Sequence, residues 1–475
     1  MTSTPDTFTP ASGWLRWVTV AFAALTVGFH LWIAFSGLIP NLTTRPLHMA
    51  FAVAWVFFFG VAIAQGRGGR ISGWIIGAIG IAACGYIVWN RPELVRQYGA
   101  LDGWLQHAVA IALLLVVLEM ARRAIKLVLP AVAAIVLTYG FLGEHIPGSF
   151  GHGGIPLDYY LGTLTITEGG LWGSLTGISV DTISLFIILG ATISAGQAGT
   201  GFMALATQIA GRFRAGAAKV AVVSSALYGT VSGVAAANTA STGMVTIPAM
   251  IRRGYPPKLA AAVEAVASTG GQIMPPIMGA GIFVMAELLR RPYAEIMVAA
   301  TLPALLFFVA AWVGVHMFAL RYRLEGLPRS ELPGWWAVAL TAPFFMVPFG
   351  ILIGSILFTS YTLSYAAVFA TVTAWVLLLP GDQLKPSLRG WLLRTEQALV
   401  TGAQQVAVIA AVIICAGIIV GVFNMTGLGV KLTSLILSLS GGELWAVLLL
   451  TGLASLVLGM ELPTTAAYII CVAVA

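Results

Sequence analysis

Residues 220–276 read VAVVSSALYGTVSGVAAANTASTGMVTIPAMIRRGYPPKLAAAVEAVASTGGQIMPP. The stretch is apolar enough to enter a bilayer, yet small polar residues interrupt it twice. One interruption is Asn238-Thr239-Ala240-Ser241-Thr242-Gly243; the other is Ser268-Thr269-Gly270-Gly271-Gln272, followed by Pro275-Pro276. The apolar run 220–251 around the first is flanked by Arg212, Arg214 and Lys219 on one side and by Arg252 and Arg253 on the other. Basic clusters mark the cytoplasmic side of a membrane segment, so a run bounded by them at both ends reads as a re-entrant helical hairpin. Backbone groups freed at membrane depth need protein or a water-filled cavity to satisfy them, so both interruptions mark a polar site.

The rest of the chain supports this reading. Of its 475 residues 59% are hydrophobic and 9% charged, and the mean hydropathy is +0.95; a soluble particle of this size cannot be coated from that composition. Apolar spans are expected over 14–38, 46–65, 72–90, 103–121 and 124–143, then from 182 to about 196, over 294–319, 336–358 and 364–380, and over 398–423. Ten-residue alternating barrel strands are absent, so the spans are helical. With a cytoplasmic N-terminus, Arg67 and Arg70, and then Arg122, Arg123 and Lys126, fall inside, and the linker 143–180, free of Lys and Arg, falls outside. Arg45, Arg91 and Arg96 oppose that orientation. Asp181, at the start of its expected span, reads as a helix cap.

The net charge of +7 is spread over short clusters between spans and forms no single basic face, which excludes nucleic acid. Cys84, Cys415 and Cys471 lie in apolar runs at spacings of neither a disulfide framework nor a metal site. No phosphate-binding G-x-x-x-x-G-K-[ST] loop and no cluster of catalytic His, Asp or Cys residues occurs, so no enzymatic activity and no bound cofactor are expected, and energy must come from a gradient or another subunit.

Half-helix ends at such breaks offer partial charge, and Ser and Thr hydroxyls suit Na⁺. Asn238, Thr239, Ser241, Thr242, Ser268, Thr269, Gly270 and Gln272 are therefore the candidate ion and substrate residues, against the plainer possibility that they pack and cap helices. A polar break recurs at Gly459-Met460-Glu461-Leu462-Pro463-Thr464-Thr465, in a run expected to enter from the opposite side. This suggests an inverted repeat in which Pro463, Thr464 and Thr465 are counterparts of the first breaks. Na⁺ is placed at Asn238, Ser268, Thr269 and Thr464. Ionisable residues inside spans are costly; Glu264, one turn before Ser268, and Glu461 are candidate proton or charge relays. Glu287 is expected to pair with Arg290, and Glu119 with Arg122 and Arg123. The chain ends within an apolar run, and a returning arm and further helices are expected beyond Ala475.

The runs Ser232-Gly233, Ala237-Asn238-Thr239, Ile247-Pro248-Ala249-Met250 and Arg253-Gly254-Tyr255, with Ala262 through Pro276, resemble the fused membrane component of tripartite ATP-independent periplasmic (TRAP) transporters. Thr426-Gly427-Leu428-Gly429 and Leu462 through Tyr468 resemble its second repeat. The likeness is strong over 180–475, whereas the first four spans match the small membrane subunit only in number and placement. The extended Glu-Ala-Val-Ala-Ser-Thr-Gly-Gly motif from Glu264 resembles most the branch served by TAXI-type binding proteins.

The resemblance implies an all-α, elevator-type transporter with inverted repeats, re-entrant hairpins and broken helices, multi-pass in the bacterial inner membrane. It implies a periplasmic binding protein as partner and C4-dicarboxylate-like or other organic acids as substrate, with Na⁺ as the usual coupling ion and H⁺ as the alternative. Glu461 departs from the expected Gly-x-Gly-Leu-Pro-Thr-Thr pattern. The implied organisation is a small-subunit-like region over 1–122, a connecting helix and external linker over 123–178, a first repeat over 179–320 containing the hairpin 220–251, scaffold helices over 321–396, and a second inverted repeat over 397–475, cut short in its hairpin. A self-sufficient carboxylate symporter without a binding protein is the rival reading.

Overall fold

The computed structural model describes residues 13–37, 39–60, 67–380, 385–459 and 464–474. These residues are helical; the only extended pairing among them is an isolated bridge between Pro380 and Pro386. Six helices are long and apolar enough to cross a bilayer among the described residues, from Trp14–Phe35 to Leu388–Thr426, and the pair Arg329–Thr341 and Pro343–Phe358, bent by 47°, adds a seventh if read as one span. The fold is thus that of an all-α integral membrane protein.

The chain divides into two compact units. One contains residues 1–19, 35–181 and 403–475. Its early helices, Asn41–Phe57, Arg67–Trp89 and Gly103–Ile125, approach closely because glycines recur on one face of the middle helix. A Cβ on Gly77 would lie 2.9 Å from the Phe57 Cβ, and one on Gly80 would lie 2.8 Å from the Val116 Cγ1. Without water between helices in lipid, such close backbone approach supplies the packing. Glu119 pairs with Arg122 at 2.6 Å and with Arg123 at 2.7 Å, as spacing predicts.

The linker 143–180 is more structured than expected. It contains the helix Leu157–Thr165, and the fully buried Trp172 donates its indole N–H to the Thr165 carbonyl at 2.6 Å. The next span begins at Ser174, not at 182, because Leu175, Thr176 and Val180 are buried and carry the helix on. Asp181 therefore lies in a π-helical turn, Ser179–Ile183, inside the span, and does not cap its start. Arg45, which argued against the orientation, is buried; it donates to the Trp172 carbonyl and, at 3.3 Å, to Glu168 of the linker. A neutralised, buried arginine carries little weight in the positive-inside bias. Nearby, His48 Nε2 lies 3.0 Å from Ser179 Oγ.

The other unit contains residues 20–34 and 182–402. The hairpin is present as two arms, Gly216–Ser232 and Ala235–Arg252. Its turn is not at Asn238–Gly243 but at Gly233-Val234. Gly233 has φ of +59°, and a Cβ there would lie 2.4 Å from the Met278 carbonyl oxygen, so conformation and space both require glycine. The polar run stays helical because Thr242 and Thr246 bond back to the carbonyls of Asn238 and Thr242 at 2.8 and 3.0 Å.

A broken helix follows: Pro257–Gly270, one 3-10 turn at Gly271–Ile273, then irregular chain until Ala280–Leu289. The break thus starts at Gly271, and Ser268 to Gly270 form the last helical turn. Glu287 and Arg290 are both exposed and do not form the expected pair; Arg291 pairs with Glu295 at 3.7 Å instead. The long helix Tyr293–Tyr322 leaves most of its surface uncovered, as a lipid-facing span would.

Element order repeats later in the chain. Ser184–Ser194, a short helix Ala198–Ala210 and the two hairpin arms find parallels in Leu388–Thr426, Leu428–Leu439, Leu444–Gly459 and Thr464–Val474. Glu461 and Pro463 lie outside the described residues.

Candidate functional site

The hairpin arms and the broken helix converge on one carboxyl group. Glu264, on Pro257–Gly270, is fully buried. Its Oε1 accepts from Ser225 Oγ at 2.9 Å, from Ser268 Oγ at 3.3 Å and from Thr242 Oγ1; its Oε2 accepts from Thr246 Oγ1. Ser225 comes from the first arm, Thr242 and Thr246 from the second, and Ser268 from the helix of Glu264 itself. The partners are hydroxyls, not cations: a carboxyl group has been taken out of water with dipoles alone to replace it.

Small residues make the convergence possible. A Cβ on Gly229 would lie 2.2 Å from the Gly271 Cα, and one on Gly271 would lie 2.6 Å from the Gly229 Cα and 2.8 Å from the Asn238 Nδ2. The first arm therefore crosses the 3-10 turn backbone to backbone. Asn238 bridges them, donating to the Ser225 carbonyl at 2.8 Å and to the Ser268 carbonyl at 3.5 Å. Gly243 faces the Glu264 side chain, with 3.2 Å between its hypothetical Cβ and the Glu264 Cγ.

Of the residues singled out from sequence, Asn238, Thr242, Ser268 and Glu264 are brought together. Ser225 and Thr246 join them and were missed, although 238, 242 and 246 form an i, i+4, i+8 stripe and 264 and 268 an i, i+4 pair, so the face was readable once helix was assumed across the break. Thr239, Ser241 and Gln272 are half-buried and contribute no side-chain bond to the cage; Gly270 packs on the Phe307 ring. Thr269 is exposed and bonds back to the Ala265 carbonyl at 2.8 Å. Thr464 is exposed and Thr465 buried, both in the other unit; of the Na⁺ ligands named from sequence, Asn238 and Ser268 meet at the cage. At the hairpin tip, Ser232 Oγ is buried with no hydrogen-bond partner among the described residues.

Counting hydrogens shows what the cage can do. Each threonine hydroxyl has one proton and two acceptors within reach, a backbone carbonyl and a Glu264 oxygen. Either acceptor can take that proton, so rotation of a hydroxyl switches it between the helix carbonyl and the Glu264 carboxyl group.

Comparison with known proteins gives one consistent answer. Residues 112–475 match the family described as tripartite ATP-independent periplasmic transporter, DctM component; the match begins well before residue 180, inside the helix Gly103–Ile125. The chain is 28% identical over 190 residues, 40% of its length, to the C4-dicarboxylate TRAP transporter large permease protein DctM of Pseudomonas aeruginosa, covering 44% of that protein. It is 23% identical over 253 residues to the protein of the same name from Rhodobacter capsulatus, covering 47% of this chain and 56% of that one. It is 30% identical over 124 residues, 26% of this chain, to the isethionate TRAP transporter permease protein DctMQ of Oleidesulfovibrio alaskensis, 18% of whose length is covered. The chain thus spans about half the length, or less, of these relatives.

Proposed function

The chain belongs to the family of the DctM component of tripartite ATP-independent periplasmic transporters, and on that footing we propose that it is the membrane permease of a secondary transporter that imports an organic acid together with protons carried by Glu264. The observation that carries this reading is the hydroxyl cage. A fully buried carboxyl group with no cation paired to it among the described residues, ringed by hydroxyls that can rotate toward it or away, is suited to taking up and releasing a proton. The hydroxyls donate directly to the carboxyl oxygens, so Na⁺ would have to displace those bonds.

The proposal extends to the rest of the machine. A periplasmic binding protein, of the TAXI type on the motif resemblance, delivers a carboxylate to the permease in the bacterial inner membrane. The first four spans do the work of the small subunit, and the hairpin with its broken helix moves as part of an elevator-type transport domain. Relatives named for C4-dicarboxylate and isethionate support a small organic anion as substrate.

A second reading places Na⁺ at the hairpin tip. It is favoured by the unpartnered Ser232 Oγ at the C-terminal end of the first arm, where helix carbonyls carry partial negative charge.

Uptake of labelled carboxylates into proteoliposomes holding the full-length protein, with and without its binding protein, tests both. Uptake that follows a pH gradient and is lost in Glu264→Gln supports the proton reading. Uptake that follows Na⁺ and survives in Glu264→Gln but not in Ser232→Ala moves the coupling ion to the tip; uptake without any binding protein favours the self-sufficient carrier.

A further inference from the structure

The first arm of the hairpin carries a second buried charge. Lys219, one turn into that arm, is 4% exposed. Its Nζ lies 4.3 Å from the centroid of Trp312, 5.5 Å from that of Phe213 and 3.4 Å from His316 Nδ1. Among the described residues no carboxylate lies within ion-pair distance of it. Ring faces attract an ammonium group but leave its net charge in place. Two more cations lie in the same short stretch of chain: Arg212, over the Phe213 ring at 5.1 Å, and Arg214, both exposed.

An open apolar groove of about 450 Å³ starts at the same tryptophan. Val223, Ala226 and Leu227 of the first arm form one wall, and Leu305, Phe308 and Trp312 of Tyr293–Tyr322 form the other. From Trp312 to Leu305 the helix rises about 10 Å. The groove and the cations meet at Trp312, which lines the first and covers the Lys219 ammonium.

We propose that this groove binds one anionic phospholipid of the cytoplasmic leaflet, an acyl chain lying between the first arm and the long helix and the phosphate held at Arg212 and Arg214 in the field of Lys219. The argument is complementarity at both ends. A free anion would gain nothing from the apolar walls, and a neutral lipid would leave the positive cluster without a counter-charge. The basic flank of residues 212–219 places the cluster on the cytoplasmic side, where anionic headgroups concentrate and each Lys or Arg adds attraction. The site stands apart from the Glu264 cage and is independent of the transport reading.

Native mass spectrometry of the full chain, delipidated in detergent and titrated with phosphatidylglycerol or phosphatidylcholine of matched acyl chains, tests the proposal. One phosphatidylglycerol should bind with a preference of about tenfold over phosphatidylcholine. The surface variant R212Q/R214Q should reduce that preference to about twofold, and Ala226→Phe, which fills the groove, should lower occupancy by both lipids. Lys219→Met should act like the arginine variant; if it fails to fold, the exposed R212Q/R214Q pair still decides. Equal binding of the two lipids by the wild type, an unchanged preference in R212Q/R214Q, or displacement of the lipid by millimolar inorganic phosphate would overturn it.

Discussion

Glu264 and Arg45 are both ionisable side chains removed from water, and the protein handles them in opposite ways. Arg45 is held by fixed acceptors, the Trp172 carbonyl and the Glu168 carboxylate, and a guanidinium group keeps its charge under all ordinary conditions. Both acceptors belong to the linker, so Arg45 ties residues 168–172 to Asn41–Phe57. Glu264 is ringed by hydroxyls, of which Thr242 and Thr246 can each donate to it or to a helix carbonyl. A fixed partner makes a buried charge structural; a rotatable one makes it switchable.

The largest test of that contrast is Glu264→Gln. The amide keeps hydrogen bonds to the cage but cannot release a proton, so proton-driven accumulation in proteoliposomes should be abolished while the thermal midpoint in detergent stays near wild type. Retained pH-driven uptake would remove Glu264 from the coupling path. Arg45→Ala should do the reverse. It strips the buried Trp172 carbonyl of its donor, a loss of about 1–3 kcal/mol that should show as a lower unfolding midpoint, with uptake per folded molecule retained.

Smaller changes sharpen the comparison. Gly271→Ala puts a methyl group against the Gly229 backbone and the Asn238 amide; overpacking of this kind costs about 1–3 kcal/mol, and thermal unfolding should register it. Thr246→Val removes one rotatable donor from Oε2 at about 1 kcal/mol, roughly a fivefold effect that should appear as a lower rate of uptake; an unchanged rate would mean that the hydroxyl is only packing. Least of all, Ser268→Ala should weaken uptake by a few-fold more than Thr269→Ala does, since only Ser268 reaches the carboxyl group. Equal effects would break the cage assignment.

Much of this was legible in the chain itself. The helical spans, the hairpin between basic clusters and Glu264 as a charged group that needs partners follow from hydropathy and from the cost of charge in lipid. Exact breaks were not legible. Asn238–Gly243 is rich in residues that often end helices, but their hydroxyls turned inward and bonded back to the helix, so the turn moved to Gly233-Val234, where crowding against Met278 demands glycine. The start of the span at Ser174 was hidden because Gly173 and Asp181 look like a boundary, and only the burial of Leu175 and Val180 shows the helix continuing.

Composition and period alone determined that this is a helical membrane protein, because lipid punishes unsatisfied backbone and charge wherever they fall in the fold. Only tertiary structure decided which hydroxyls matter. Ser225 stands 39 residues from Glu264 and Thr246 18 residues from it; helical spacing puts Thr246 on the face of Asn238 and Thr242, but nothing local to Ser225 brings it to the carboxyl group. Their role comes from three helices crossing at glycines, and a crossing point is a property of contacts between segments.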